Sequence, residues 1–122
     1  MKGVAQDTAH TAANGLIEIG LQGGGTNTYL TQDVLMLDAT AKVDAVPGLE
    51  IKTNDVKASH SATVSRVTAE DLFYFGARGI PQEEARKMYV LGFLGQITGR
   101  LPQGAWADRI LEAVESKYSA QA

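Results

Sequence analysis

Cysteine is absent from these 122 residues. That removes disulfides, thiolate metal sites and a thiol nucleophile from the chain's own chemistry. Charge of one sign is also scarce. The formal net charge is −3 and no basic stripe appears, so nucleic acid gains no electrostatic support as a partner. Long apolar runs are missing as well. The longest, Met88 to Ile97, is about half of what a membrane-spanning helix requires. The opening MKGVAQDTAH lacks the apolar centre of a signal peptide. These absences predict one soluble domain, or a compact piece of a larger protein, placed in the cytoplasm and away from membranes.

What is present changes character near residue 66. Before it, Val, Ile, Thr, Gly, Asn and Asp dominate; after it come Glu, Arg, Leu, Ala, Phe and Met. The first region predicts short strands at Leu16–Leu21, Asn27–Leu37, Lys42–Val46, Leu49–Thr53 and Val56–Val64. Turns are expected at Asn14-Gly15, Gly23-Gly24-Gly25, Pro47-Gly48 and Asn54-Asp55. Two of these precede similar phrases, GLIEI and GLEI. The echo suggests stacked strand layers, as in a β-helix, while hairpins of an antiparallel sheet remain open.

The second region predicts helices. Thr68 suits an N-cap, with Asp71 three residues on completing a capping box. This helix is expected over Ala69–Arg78, ending at Gly79. A second starts at Ile80-Pro81, where Gln82, Glu83 and Glu84 follow, and is expected to reach Gly99. A third follows Pro102, with Trp106, Ile110, Val114 and Tyr118 recurring every four residues and Leu111 widening the stripe.

Most constellations have plain explanations. LQGGGTNT lacks the Lys-Ser/Thr of a phosphate loop and reads as a turn between strands. Gly92, Gly95 and Gly99 share roughly one side of the second helix, which predicts tight internal packing ahead of a partner surface. Glu70, Asp71, Glu83 and Glu84 are explained by helix starts without catalysis. His10 reads as a surface or loop residue. His60 differs. In VKASHSATV an extended reading puts Val56, Ala58, His60, Ala62 and Val64 on one face. From pattern alone this is a core histidine bonded to backbone carbonyls. Two histidines and no cysteine make no closed zinc site within one chain.

Four phrases go further: NDVKASHSATV from Asn54, DLFYFGARGIPQEEARKM from Asp71, YLTQDVLML from Tyr29 and PGLEI from Pro47. In this order and spacing they resemble the C-terminal part of the SufB/SufD family of iron–sulfur cluster assembly proteins. The resemblance implies a mainly β fold with C-terminal helices. Residues 1–66 would be the last turns of a right-handed parallel β-helix, and residues 67–122 a small three-helix segment. It implies that the chain is a C-terminal piece of a longer protein, with an open β-helix end prone to self-association.

It also implies partners. A SufC-type ATPase would dock on the helical segment, with Phe73, Tyr74, Arg78, Gly79, Ile80 and Pro81 as candidate contacts. A SufB- or SufD-type chain, or a second copy, would pair through the last strands, since a free strand edge is a template for another chain. His60 matches the family histidine at that junction, where it would serve as ligand or proton acceptor. Ala41 stands where SufB has a cysteine, and Ser61 where SufB has glutamate after the histidine. The chain is therefore similar to SufD or to cysteine-poor family members. No cofactor is expected to be stably bound, and a transient iron–sulfur cluster would form only in the full complex. The expected function is a non-enzymatic scaffold. The alternatives are a β-helix carbohydrate-active enzyme, disfavoured by the few inward carboxylates, and a purely structural dimerisation module.

Overall fold

The computed structural model describes residues 1–102 and 104–119. Five strands come first: β1 (Lys2–Ala5), β2 (His10–Ile19), β3 (Thr26–Met36), β4 (Lys42–Ile51) and β5 (Val56–Arg66). Three helices follow: α1 (Ala69–Gly76), α2 (Gln82–Gly95) and α3 (Ala105–Ser119). Two compact units result. One holds the strands up to Arg66, apart from Lys2, and the other begins at Val67.

The strands alternate between two sheets. One has the order β1-β3-β5 and the other pairs β2 with β4. Pairing is parallel, with His10 beside Lys42 and Thr26 beside Val56. Neighbouring strands are thus never consecutive in sequence, which excludes hairpins. The sheets are open, and no strand closes them into a barrel among the described residues.

The echoing phrases lie side by side. Ile17-Glu18-Ile19 stands in register with Leu49-Glu50-Ile51. Gly15 pairs with Pro47, so both expected turns fall inside strands. The expected strands Lys42–Val46 and Leu49–Thr53 are one continuous strand. Pro47 is tolerated because of its parity. Lys42 and Lys52 donate their amides to Ala9 and Ile19 carbonyls at 2.8 and 2.9 Å. With an unbroken register between them, even-numbered β4 amides face β2 and odd-numbered ones face away. The donor that Pro47 lacks is not one the β2 ladder uses.

Burial follows the period of two. On β2, Ala13 and Ile19 are buried, while Ala12, Asn14, Leu16 and Glu18 are exposed. Central β3 carries the deepest positions, Gln32 and Val34, followed by Leu35, Met36 and Leu37. A smaller cluster joins Ala5, Met36 and Ala41, with Val43 against it. The glycine turn after Leu21 is a corner between β2 and β3, and Gly25 takes a φ of 79° that suits glycine.

In the helical unit, local signals act as expected at the first helix. Thr68 caps α1, and Thr68 and Asp71 exchange both bonds of a capping box. The chain leaves α1 with Ile80 N donating to Phe75 O at 3.1 Å, and Gly79 sits at φ 79°. Pro81 precedes α2 in extended backbone. The Phe75 and Tyr89 rings meet edge to face at 5.5 Å, joining α1 to α2. Lys87 Nζ lies 3.0 Å from Glu115 Oε1, joining α2 to α3.

Two helical expectations need correction. The second helix stops at Gly95 rather than Gly99. Thr98 Oγ1 there donates to Gly95 O at 2.6 Å, and a 3-10 turn over Thr98–Arg100 replaces the last α turn. The glycine face is not tightly packed. A Cβ at Gly95 would make only ordinary contact with Leu111 at 3.5 Å, and Cβ atoms at Gly92 or Gly99 would meet nothing within 4 Å. Ile110, Val114 and Tyr118 form the half-buried stripe of α3, whereas Trp106 is 70% exposed. Among the described residues, no helix is long and apolar enough to cross a membrane.

Candidate functional site

β5 ends its sheet, and its pairing with β3 sets His60 beside Leu30 and Ala62 beside Gln32. Side-chain parity therefore places His60 on the face shared with buried Gln32 and Val34. Yet His60 is exposed, as are residues 62 to 66. The expectation of a core histidine bonded to carbonyls is corrected. Parity gave the face, but among the described residues nothing covers that face at the last strand. Among the described residues no hydrogen bond or ion pair engages the ring. On the opposite face Tyr29 donates its hydroxyl hydrogen bond to Ser61 Oγ at 2.8 Å.

The other histidine does have a partner. His10 opens β2, and its Nε2 lies 2.7 Å from Asp44 Oδ2 on β4. Both side chains are exposed. Ala41 is buried beside Ala5 and Met36. Among the described residues no three His, Cys, Asp or Glu side chains converge as a metal site.

The helical unit presents a different surface. α1 has no buried residue, and Phe73 and Tyr74 are 76% and 54% exposed. Arg78 braces them. Its guanidinium stacks 3.7 Å over the Tyr74 ring, and one of its nitrogens donates to Tyr74 O at 3.3 Å. Gly79, Ile80 and Pro81 continue this surface as the α1–α2 turn, with Ile80 half-buried. Asp71 is occupied by structure. Thr68, through its hydroxyl and then its backbone amide, holds the Asp71 carboxyl below its ordinary range, with Tyr89 assisting. Burial, then the Asp71 charge, pushes the Tyr89 phenol upward.

A family model described as SUF system FeS cluster assembly, SufBD core domain, matches residues 1–93. The chain belongs to the SufBD family. It is similar to the iron–sulfur cluster assembly protein SufD of Escherichia coli strain K12, with 34% identity over 93% of this chain and 27% of the relative. SufD of Bacillus subtilis strain 168 is 36% identical over 94% of this chain and 26% of the relative. An iron–sulfur cluster assembly SufBD family protein of Mycobacterium bovis is 38% identical over 88% of this chain and 27% of the relative. The chain thus spans about a quarter of the length of these SufBD relatives.

Sequence reasoning missed two features of this SufBD segment, one interior and one on the surface. Gln32 is 1% exposed, and its Nε2 donates to Ala13 O at 3.2 Å. The signal was available: Gln32 alternates with Leu30 and Val34, as His60 does with Ala58 and Ala62. Lys52 was also passed over. It lies 2.9 Å from both Glu18 and Glu50, which stand in register on adjacent strands.

Proposed function

We propose that this chain is part of a non-enzymatic scaffold of the SUF iron–sulfur cluster assembly system, acting in the cytoplasm. Its strands form turns of a right-handed parallel β-helix. Alternation between two parallel sheets supports a coil, and parallel crossover connections are right-handed in about 98% of cases. The helical unit receives a SufC-type ATPase on the surface of Phe73, Tyr74, Arg78, Gly79, Ile80 and Pro81. The β5 edge receives a SufB- or SufD-type chain or a second copy. The cluster is cargo, and its thiolate ligands come from outside these 122 residues, since Cys is absent here.

The observation that carries this reading is the exposed Phe73–Tyr74 pair, its Tyr74 stacked against Arg78, on a helix with no buried residue. Aromatic and arginine side chains of this kind are favoured anchors of protein interfaces. The test uses the longer protein that contains this chain and a SUF ATPase from the same source. A Phe73→Ala/Tyr74→Ala variant should lose at least about tenfold in affinity, the scale of one strong anchor, while its melting temperature stays near that of wild type. Unchanged affinity would remove these residues from the interface.

A further inference from the structure

Asn14 stands on the exposed face of β2, directly before Gly15. Among the described residues no hydrogen bond engages its carboxamide. Asparagine before glycine is the pairing most open to spontaneous deamidation, because glycine has no side chain to shield its backbone nitrogen. The other asparagines, Asn27 and Asn54, precede Thr28 and Asp55, which do shield it.

The fold holds this chemistry off in two ways. Even-numbered β4 groups face β2, as the bonds from Lys42 to Ala9 O and from Lys52 to Ile19 O establish. Val46 stands beside Asn14, so in the parallel pattern the Val46 carbonyl accepts from the Gly15 amide. The nucleophile is thereby tied into the ladder. The backbone at Asn14 is also extended, and closing a ring from Gly15 N onto Asn14 Cγ requires it to turn out of that conformation. Separation of β2 from β4 releases both restraints together.

We infer that Asn14 is a covalent modification site, shut by the β2–β4 ladder and opened when those strands part. Gly15 N then bonds to Asn14 Cγ, the Cγ–Nδ2 bond breaks, and ammonia leaves with the proton from the Gly15 amide. Water opens the resulting succinimide at either carbonyl. One product is aspartate. The other is isoaspartate, in which Cβ has joined the main chain and adds one atom between residues 14 and 15. That insertion displaces Gly15 from Pro47 and shifts Leu16 to Ile19 against β4. It falls at a position without slack, since a Cβ at Gly15 would stand 2.8 Å from Gln32 Nε2. A strand left open for long is then unable to pair again in register.

The test incubates the longer protein in mildly alkaline buffer, native or unfolded in guanidinium, beside a synthetic peptide of the β2 sequence. Peptide mapping and isoaspartyl methyltransferase labelling follow Asn14. The unfolded chain should deamidate at Asn14 as fast as the peptide and ahead of Asn27 and Asn54. The native protein should be slower by at least about tenfold, because local opening limits the rate. A native rate equal to the peptide's overturns the role of the ladder. Asn27 or Asn54 leading in the unfolded chain overturns the assignment. Refolding tests the consequence. Isoaspartate chains should be missing from the cooperatively folded fraction. Aged Asn14→Ser chains, which cannot close the ring, and freshly unfolded Asn14→Asp chains, which carry the charge without the extra atom, should both refold. Isoaspartate chains that refold at the wild-type midpoint, or either variant failing to refold, overturn the register argument.

Discussion

Gln32 on β3 reaches the backbone of Ala13 on β2, its Nε2 donating to the carbonyl at 3.2 Å. One polar side chain thereby ties the two sheets through their interior. Gly15 makes room for it. A Cβ at Gly15 would stand 2.8 Å from Gln32 Nε2 and 2.9 Å from Leu30 Cδ2. Gly15→Ala should therefore destabilise the strand unit by about 1–3 kcal/mol, the usual cost of overpacking. A double-mutant cycle with Gln32→Ala should show positive coupling, the pair costing less than the sum. Urea denaturation measures both. A midpoint that does not move on Gly15→Ala would deny the close approach.

The start of α1 makes stability acid-sensitive. The folded Asp71 carboxyl is held below its ordinary value. Its contribution is then present above the unfolded value, near pH ~4, and is lost as pH falls through the folded one. Thr68→Ala removes the first cause of that shift and should cost about 1 kcal/mol of helix stability at neutral pH. The difference between variant and wild type should shrink in acid. Thermal melts followed by helical circular dichroism across this range give the answer. A constant difference at every pH would mean that the cap is not coupled to the carboxylate.

Lys52 separates two like charges. Glu50 first and Glu18 second raise its pKa above the ordinary lysine value. Its contribution is present below the unfolded lysine value and is lost as pH rises through the folded one. Lys52→Ala leaves Glu18 and Glu50 facing each other across the ladder. The melting temperature should fall at low ionic strength and recover in about 1 M salt, where screening reaches only about 3 Å. An equal fall in both buffers would point to lost packing instead.

His60 is exposed, so His60→Ala should leave stability within about 0.5 kcal/mol of wild type, as for other surface changes. Cluster assembly in cells carrying the longer protein should nevertheless decline. A variant with full assembly would favour a dimerisation module in which the imidazole has no part.

The helical half was legible because its signals are local. Thr68 with Asp71, Gly79 and Ile80-Pro81 each act within a few residues of themselves, and each is used as its chemistry predicts. The end of α2 was read too far because helical periodicity outran the Thr98–Gly95 bond that stops it. The strands depend on registers of 32 and 30 residues, which no local rule contains. Asn14-Gly15 and Pro47-Gly48 look like turns in isolation. Stacked side by side they are a close approach and an edge. Only the echo of GLIEI in GLEI disclosed the layering. Parity put His60 on the correct face, and it has no means of telling whether a face is covered.

The account's central claim is that this chain lends surfaces while the reactive groups come from neighbours. Anaerobic incubation of the chain alone with ferrous iron and sulfide, followed by desalting, tests it most directly. Iron analysis and visible charge-transfer absorbance should show no retained cluster. One cluster held per chain, without any partner, would contradict the claim.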